Sequence, residues 1–96
     1  MERAVSTHEI KCSANQNLGV ILRAARVELE QRKEVVISGL GAAMSACVIV
    51  AGRLEKDGLC QVVKVESNTL VLKGSRNEDR EVPQLRVHLT PMQLSE

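Results

Sequence analysis

Near the start of the chain hydrophobic and polar residues alternate, and from residue 18 onward the hydrophobic residues recur with the period of an α-helix. Residues 9–13 alternate, which predicts a short strand, and the polar run 13–17 interrupts it. Asn15 or Asn17 is suited to cap the helix that follows. That helix is predicted from apolar residues three and four positions apart, namely Leu18, Ile21, Leu22, Ala25 and Leu29. A second apolar stripe predicts burial on more than one side, and it consists of Val20, Ala24 and Val27.

The middle of the chain predicts a buried strand followed by a second helix. Residues 34–38 include three consecutive β-branched residues without alternation, which is typical of a central strand covered on both faces. Residues 39–41, Gly-Leu-Gly, predict a turn. Gly58 is suited to end the next helix, whose apolar positions are Met44, Cys47, Val48, Ala51 and Leu54.

The last third of the chain predicts two strands that form a long hairpin. Residues 59–73 are rich in Val, Leu and Thr, and the polar segment 74–80 has turn composition. Leu85, Val87 and Leu89 then alternate with polar residues, as in a half-exposed antiparallel strand. We therefore expect an α/β fold of order β-α-β-α-β-β. It would form a single domain over residues 1–96, with a core at about 9–90 and a projecting hairpin.

The composition limits how this chain can contact other molecules. It contains no Phe, Tyr or Trp, so the core must be aliphatic. Proteins that bind single-stranded nucleic acid often stack bases on aromatic side chains. Any such contact here must instead use charge, amides, backbone groups or arginine. Thirteen basic and twelve acidic residues give a net charge of +1, which argues against non-specific duplex binding driven by counterion release.

The cysteines and histidines suggest no metal site and no catalytic site. Cys12, Cys47 and Cys60 are odd in number and show no C-x-x-C spacing, which predicts free thiols in a reducing compartment. Cys47 falls on the apolar face of the second helix and is predicted to be core. His8 and His88 are far apart and form no zinc, Cys–His or Ser–His–Asp pattern, so we expect no cofactor and no enzymatic activity.

Nothing in the sequence predicts membrane association. Residues 1–8 lack the apolar segment of a secretory signal. The longest apolar run, around residues 42–51, is far shorter than the roughly 20 residues needed to span a bilayer. We expect a cytoplasmic or nuclear protein with no membrane partner.

Residues 34–54 resemble the Alba family of nucleic-acid-binding proteins. The shared pattern is a hydrophobic strand, a turn with glycine at Gly41, a small residue and an aliphatic one, then a Val-rich helix. The Leu40-Gly41 pair is similar to that of eukaryotic members. The resemblance implies a compact two-layer sandwich, in which a four-stranded mixed sheet carries two helices and an extended hairpin. It also implies a dimer, with the hairpin reaching towards nucleic acid as an arm.

The chain departs from the family where archaeal members carry basic residues. Asn15-Gln16 stands in place of a lysine pair in the first loop. Around the second turn, uncharged residues occupy positions that are basic in the family, namely Ser38, Leu40, Ala42 and Ala46. The cations that remain are those of the hairpin, Lys73, Arg76 and Arg80.

Each candidate site has a structural alternative. Asn15, Gln16 and Asn17 can hydrogen-bond to phosphates, sugars or base edges, or they can form a helix cap and a solvated loop. Gly41 precedes a helix N-terminus that can hold a phosphate, or it simply permits a tight turn. The cations of the hairpin can clamp a nucleic-acid backbone, or they can lie in a solvated loop with weak ion pairs to the acids beside them, Glu78, Asp79 and Glu81.

The favoured function is a dimeric nucleic-acid-binding module, with RNA as the expected ligand. The dimer would be a homodimer or a heterodimer with a related Alba-like chain. One alternative is a scaffold subunit of a ribonucleoprotein, because the resemblance extends to paired subunits of ribonuclease P-like particles. Another alternative is DNA binding of the chromatin type.

Overall fold

The computed structural model describes residues 7–74 and 78–92, which form six main elements in the predicted order β-α-β-α-β-β. The strands are β1 (Thr7–Cys12), β2 (Glu34–Leu40), β3 (Cys60–Lys73) and β4 (Asp79–Pro91), and the helices are α1 (Leu18–Glu30) and α2 (Met44–Lys56). A short 3₁₀ helix, Gly41–Ala43, leads into α2.

The sheet is mixed, with the strand order β1-β2-β4-β3. β1 pairs with β2 in parallel, and the other two pairings are antiparallel. Both helices cover one face, where an aliphatic core joins α1 and α2 to alternate residues of the strands. Its largest fully buried side chains are Ile21, Ile37, Val50, Leu54 and Leu89. The predicted two-layer α/β architecture is therefore confirmed.

β2 lies at the centre of the sheet, as its continuous apolar run predicts. Residues 35–39 are all buried. Contrary to the prediction of a turn, Gly39 and Leu40 belong to the strand, because their backbones pair with Leu85 and Gln84 of β4. This pairing supplies hydrogen bonds that local propensity does not reveal.

The first helix differs from its prediction on one side. Ile21, Ala25 and Leu29 are buried, but the second apolar stripe is exposed at Val20 and Val27. The prediction of burial on more than one side is therefore wrong for the single chain, since only one sheet face lies against α1.

The β3–β4 hairpin continues well past the rest of the sheet. β2 ends at Leu40, opposite Gln84, whereas residues 69–73 and 79–83 continue to pair with each other. At about 3.4 Å per residue, this extension is about 17 Å long. We call these residues the arm. β4 starts earlier than its hydrophobic alternation predicts, because the backbones of residues 79–83 pair with residues 69–73 of β3.

Candidate functional site

An open pocket of about 390 Å³ lies beyond the ends of β1 and β2, at the base of the arm. It is where the first loop, the end of β2 and the hairpin meet. Its lining comes from all three, namely Lys11, Cys12, Ser13, Ala14, Ser38, Gly39, Leu40, Ala43, Leu70 and Gln84. The tertiary structure thus brings the first loop, the end of β2 and the start of the arm together at one end of the sheet. None of the described residues predicted to bind nucleic acid lines the pocket itself, and Lys73 lies at the far end of the arm.

The polar residues of the first loop are partly engaged in local structure. The Asn17 side chain caps α1, where its Oδ1 accepts a hydrogen bond from the Gly19 N–H at 2.7 Å. Gln16 Oε1 accepts from the Ser13 N–H at 3.3 Å. The amide NH₂ groups of both residues keep their donor capacity for a ligand. Neither residue lines the pocket, and nor does Asn15, so the loop borders it through Ser13 and Ala14.

Two glycines shape the turn between β2 and α2. A Cβ atom on Gly39 would lie 2.6 Å from the Ala43 carbonyl oxygen and 2.7 Å from Cys47 Sγ. The backbone of β2 therefore lies too close to the 3₁₀ helix and to the Cys47 side chain to leave space for any side chain here. Gly41 has a φ of 54°, which glycine adopts readily. A Cβ there would contact Val82 of the arm at 3.6 Å, which places this turn against the base of the arm.

The start of α2 has no capping side chain. Leu40 caps the 3₁₀ helix and Ala43 caps α2, and neither makes a side-chain capping hydrogen bond. The first turn also contains no acidic residue. Backbone N–H groups at such a helix start favour an anion. The structure is therefore compatible with the phosphate contact considered for Gly41.

The arm carries two cations and two acids, Asp79 and Glu81, and a third acid, Glu78, directly precedes its second strand. Lys73 and Arg80 are exposed, and neither forms an ion pair with another described residue. Lys73 lies opposite Asp79 in the strand register. Arg76 lies outside the described residues. The arm is therefore not a strongly positive surface.

Three pocket residues were missed by the sequence analysis. Lys11 is exposed and has no ion-pair partner within residues 7–74 and 78–92. Gln84 is half-buried opposite Leu40, and Leu70 belongs to the start of the arm. The alternation of β1 does indicate that Lys11 points away from the core. No sequence signal places it near Leu70 and Gln84.

The helix-free face of the sheet is covered by a polar network. Ser38 Oγ donates a hydrogen bond to Glu9 Oε2 at 2.9 Å, and Arg86 Nη2 lies 3.4 Å from Glu9 Oε1. Nearby, His88 Nε2 is 2.6 Å from Glu66 Oε1, and this hydrogen bond lowers the pKa of Glu66. These side chains leave Val36 only 2% exposed, although no helix covers it. The network therefore seals the centre of the sheet.

The three cysteines are buried free thiols. Cys47 is in the core, as predicted, and burial is the main reason that its pKa rises to about 12. Burial likewise raises the pKa of Cys60 to about 11 and also raises that of Cys12. A protonated, enclosed thiol is a poor nucleophile, so these residues contribute packing.

The described part of the chain shows neither a cluster of metal ligands nor a helix suited to a membrane. In residues 7–74 and 78–92, no group of three or more His, Cys, Asp or Glu residues is arranged to hold a metal ion. Neither 13-residue helix in this part has the length and apolar character to cross a membrane.

Comparisons with known proteins identify the fold. No family model matches the sequence, and no curated protein matches it. Among solved structures, Alba from Thermoplasma volcanium is similar with a TM-score of 0.76 and 17% identity, over 86% of this chain and 99% of that one. ALBA1 from Trypanosoma brucei is similar with a TM-score of 0.70 and 18% identity, over 94% of this chain and 72% of that one. Two helices on one face of a mixed four-stranded sheet, with its last hairpin extended, therefore make up an Alba fold in this protein.

Proposed function

We propose that this protein binds nucleic acid, RNA in particular, as a dimer. Binding would use the first loop (Asn15, Gln16 and Asn17), the turn at Gly41 and the arm. The observation that supports this proposal is that residues next to these positions line one open pocket, namely Ser13 and Ala14 of the first loop, Leu40 before Gly41 and Leu70 of the arm. The Alba resemblance implies the same ligand class, and the uncapped start of α2 and the unpaired cations offer groups that bind phosphate.

The small net charge predicts a modest number of phosphate contacts. Lys11, Lys73 and Arg80 are the exposed described cations near the pocket and on the arm that lack an ion pair. Each phosphate neutralised on a single strand contributes about 0.7 to the slope of log affinity against log salt. Loss of all three cations should therefore flatten that slope by about 2.

The experiment replaces Lys11, Lys73 and Arg80 by Ala together and measures RNA affinity at several salt concentrations. Exposed substitutions of this kind usually change stability by no more than about 0.5 kcal/mol each. Affinity and slope should both fall. An unchanged slope would remove these cations from the interface.

A control variant carries the same charge change elsewhere. Arg23→Ala, Arg32→Gly and Lys56→Ala together remove three exposed cations that form no ion pair in the described structure. Arg23 is on α1, Arg32 follows that helix, and Lys56 ends α2. This variant should keep most of the wild-type slope, because its positions lie away from the pocket.

Exposed apolar residues on α2 and β3 support the dimer. Val48 and Ile49 are 58% and 52% exposed, and Val65 on the edge strand is 58% exposed. The two elements adjoin, since Glu55 of α2 accepts a hydrogen bond from the Val62 N–H at 3.2 Å. An apolar surface beside an unpaired strand edge is typical of a protein interface. A second copy or a related chain with the same fold would bury it.

Sedimentation at micromolar concentration tests this interface. The wild type should sediment as a dimer, and Ile49→Asp should shift it to monomer by placing a charge in the apolar contact. Val71→Asp, on the exposed arm, is the matched control and should leave the dimer intact. A wild-type monomer would refute the homodimer, and the heterodimer would then be tested by adding the related chain.

A scaffold role in a ribonucleoprotein is the second candidate. The observation that favours it is that the hairpin has no net positive charge, because Glu78, Asp79 and Glu81 equal its three cations, Lys73, Arg76 and Arg80, in number. A scaffold subunit would show weak RNA affinity with little salt dependence when isolated. Affinities measured for RNA and DNA oligonucleotides of the same length and sequence distinguish RNA binding from DNA binding of the chromatin type.

A further inference from the structure

The pocket at the base of the arm has features that phosphate binding does not require. Its volume of about 390 Å³ falls within the range of about 300–1,000 Å³ that is usual for small-ligand sites. Leu40 and Leu70 supply apolar walls, Lys11 adds a positive charge, and Gln84 adds a carboxamide. A phosphate needs donors and charge but no apolar walls.

Gln84 has unused hydrogen-bonding capacity. Its side chain makes no hydrogen bond to any residue in 7–74 or 78–92. It is half-buried, and its strand neighbours are Leu40 on β2 and Asn68 on β3. A carboxamide offers a donor and an acceptor side by side, and the edges of nucleobases offer the complementary pair.

We propose that this pocket binds one unpaired nucleobase of the RNA strand, an inference that rests on the proposed function. Leu40 and Leu70 contact the faces of the base, a role that aromatic residues have in other single-strand binders. This chain has no aromatic residue, so an aliphatic pocket is the means available to it. Gln84 pairs with the edge of the base, and Lys11 contacts an adjacent phosphate.

This arrangement selects against duplexes. The Watson–Crick edge of a paired base is already occupied, and the base is stacked inside the helix. A base in an unstructured strand presents both its edge and its faces. The protein should therefore bind an unstructured strand more tightly than a fully paired RNA of similar charge, although both offer phosphates to the same cations.

Abasic oligonucleotides separate the base from the phosphate. Affinity is measured for an unstructured ribonucleotide decamer and for a decamer of the same length and charge that lacks all bases. A bidentate amide–base contact changes affinity by about 5- to 150-fold. The wild type should therefore prefer the base-containing decamer at least fivefold. The Gln84→Leu variant should lose most of this preference. It should bind the abasic decamer as tightly as the wild type does.

Gln61→Leu is the matched control. Gln61 is an exposed glutamine on β3 opposite Thr90, far along the sheet from the pocket. This variant should keep the full preference of the wild type. If Gln84→Leu fails to fold, the wild type alone still tests whether an unpaired base is recognised. Fully paired RNA should then compete with the labelled decamer at least fivefold less well than an unstructured strand does.

The outcomes distinguish the two proposals. Equal wild-type affinity for the base-containing and abasic decamers overturns the base pocket and leaves phosphate binding intact. A preference that persists undiminished in Gln84→Leu overturns the role of this pocket. Failure of the wild type to bind either decamer refutes the proposed function itself.

Discussion

Gly39 ends up beneath the 3₁₀ helix that leads into α2, where the structure has no space for a methyl group. A Cβ atom at this position would lie 2.6 Å from the Ala43 carbonyl oxygen and 2.7 Å from Cys47 Sγ. The cysteine is itself fixed in the core, with its Sγ 3.5 Å from the same carbonyl. Gly39→Ala must therefore displace backbone as well as a side chain.

The expected cost is that of overpacking a core. Such substitutions usually lose about 1–3 kcal/mol, and a contact with a backbone oxygen favours the upper half of that range. For a domain of this size, 1 kcal/mol corresponds to about 4–8 °C in Tm. A loss of about 2 kcal/mol thus lowers Tm by about 8–16 °C. Thermal and urea unfolding followed by circular dichroism measure both quantities.

A double variant tests the cause. Cys47→Ala removes the contact with Sγ but leaves the one with the Ala43 oxygen. Adding it to Gly39→Ala should show a favourable coupling of about 0.5–1 kcal/mol, without full recovery. If Gly39→Ala alone costs less than about 0.5 kcal/mol, the 3₁₀ helix can move freely, and the close approach does not set the position of the pocket wall.

The remaining predictions concern a strained backbone position, the accessibility of the thiols and the pH dependence of stability. Arg32 has a φ of 63°, so Arg32→Gly should stabilise the fold by about 0.5–1 kcal/mol in urea unfolding. A disulfide reagent at pH 8 should leave Cys47 and Cys60 unlabelled in the native protein, where they are 0% and 2% exposed, and should label all three thiols after unfolding. Burial raises the pKa of Cys47 to about 12 and that of Cys60 to about 11. The contribution of these protonated thiols to the free energy of unfolding is therefore complete below the ordinary thiol pKa of 9.0. It should be lost as pH rises towards these values, which urea unfolding at pH 8 and pH 10.5 would reveal. The hydrogen bond with His88 lowers the pKa of Glu66, so the contribution of this carboxylate to the free energy of unfolding is complete above the ordinary pKa of 4.5 and is lost as pH falls. Urea unfolding over this pH range should show the loss, and Glu66→Gln should remove it.

Local patterns in the sequence were sufficient to predict the elements and their order. The β-branched run of residues 35–37 indicated a buried central strand, because only a strand covered on both sides tolerates apolar residues at consecutive positions. The spacing from Leu18 to Leu29 indicated α1, and Asn17 was one of two predicted caps. These features depend on neighbours within a few residues, which the sequence contains directly.

The tertiary structure decided which strands are neighbours and what meets at their ends. β4 lies between β2 and β3, and its pairing with β2 extends that strand through Gly39 and Leu40. The same pairing brings Gln84 to the pocket, close to Lys11 of β1. Periodicity reports which face of a strand is apolar, but it carries no information on the partner strand. The pocket is made by pairings between residues far apart in sequence, so only the folded chain reveals it.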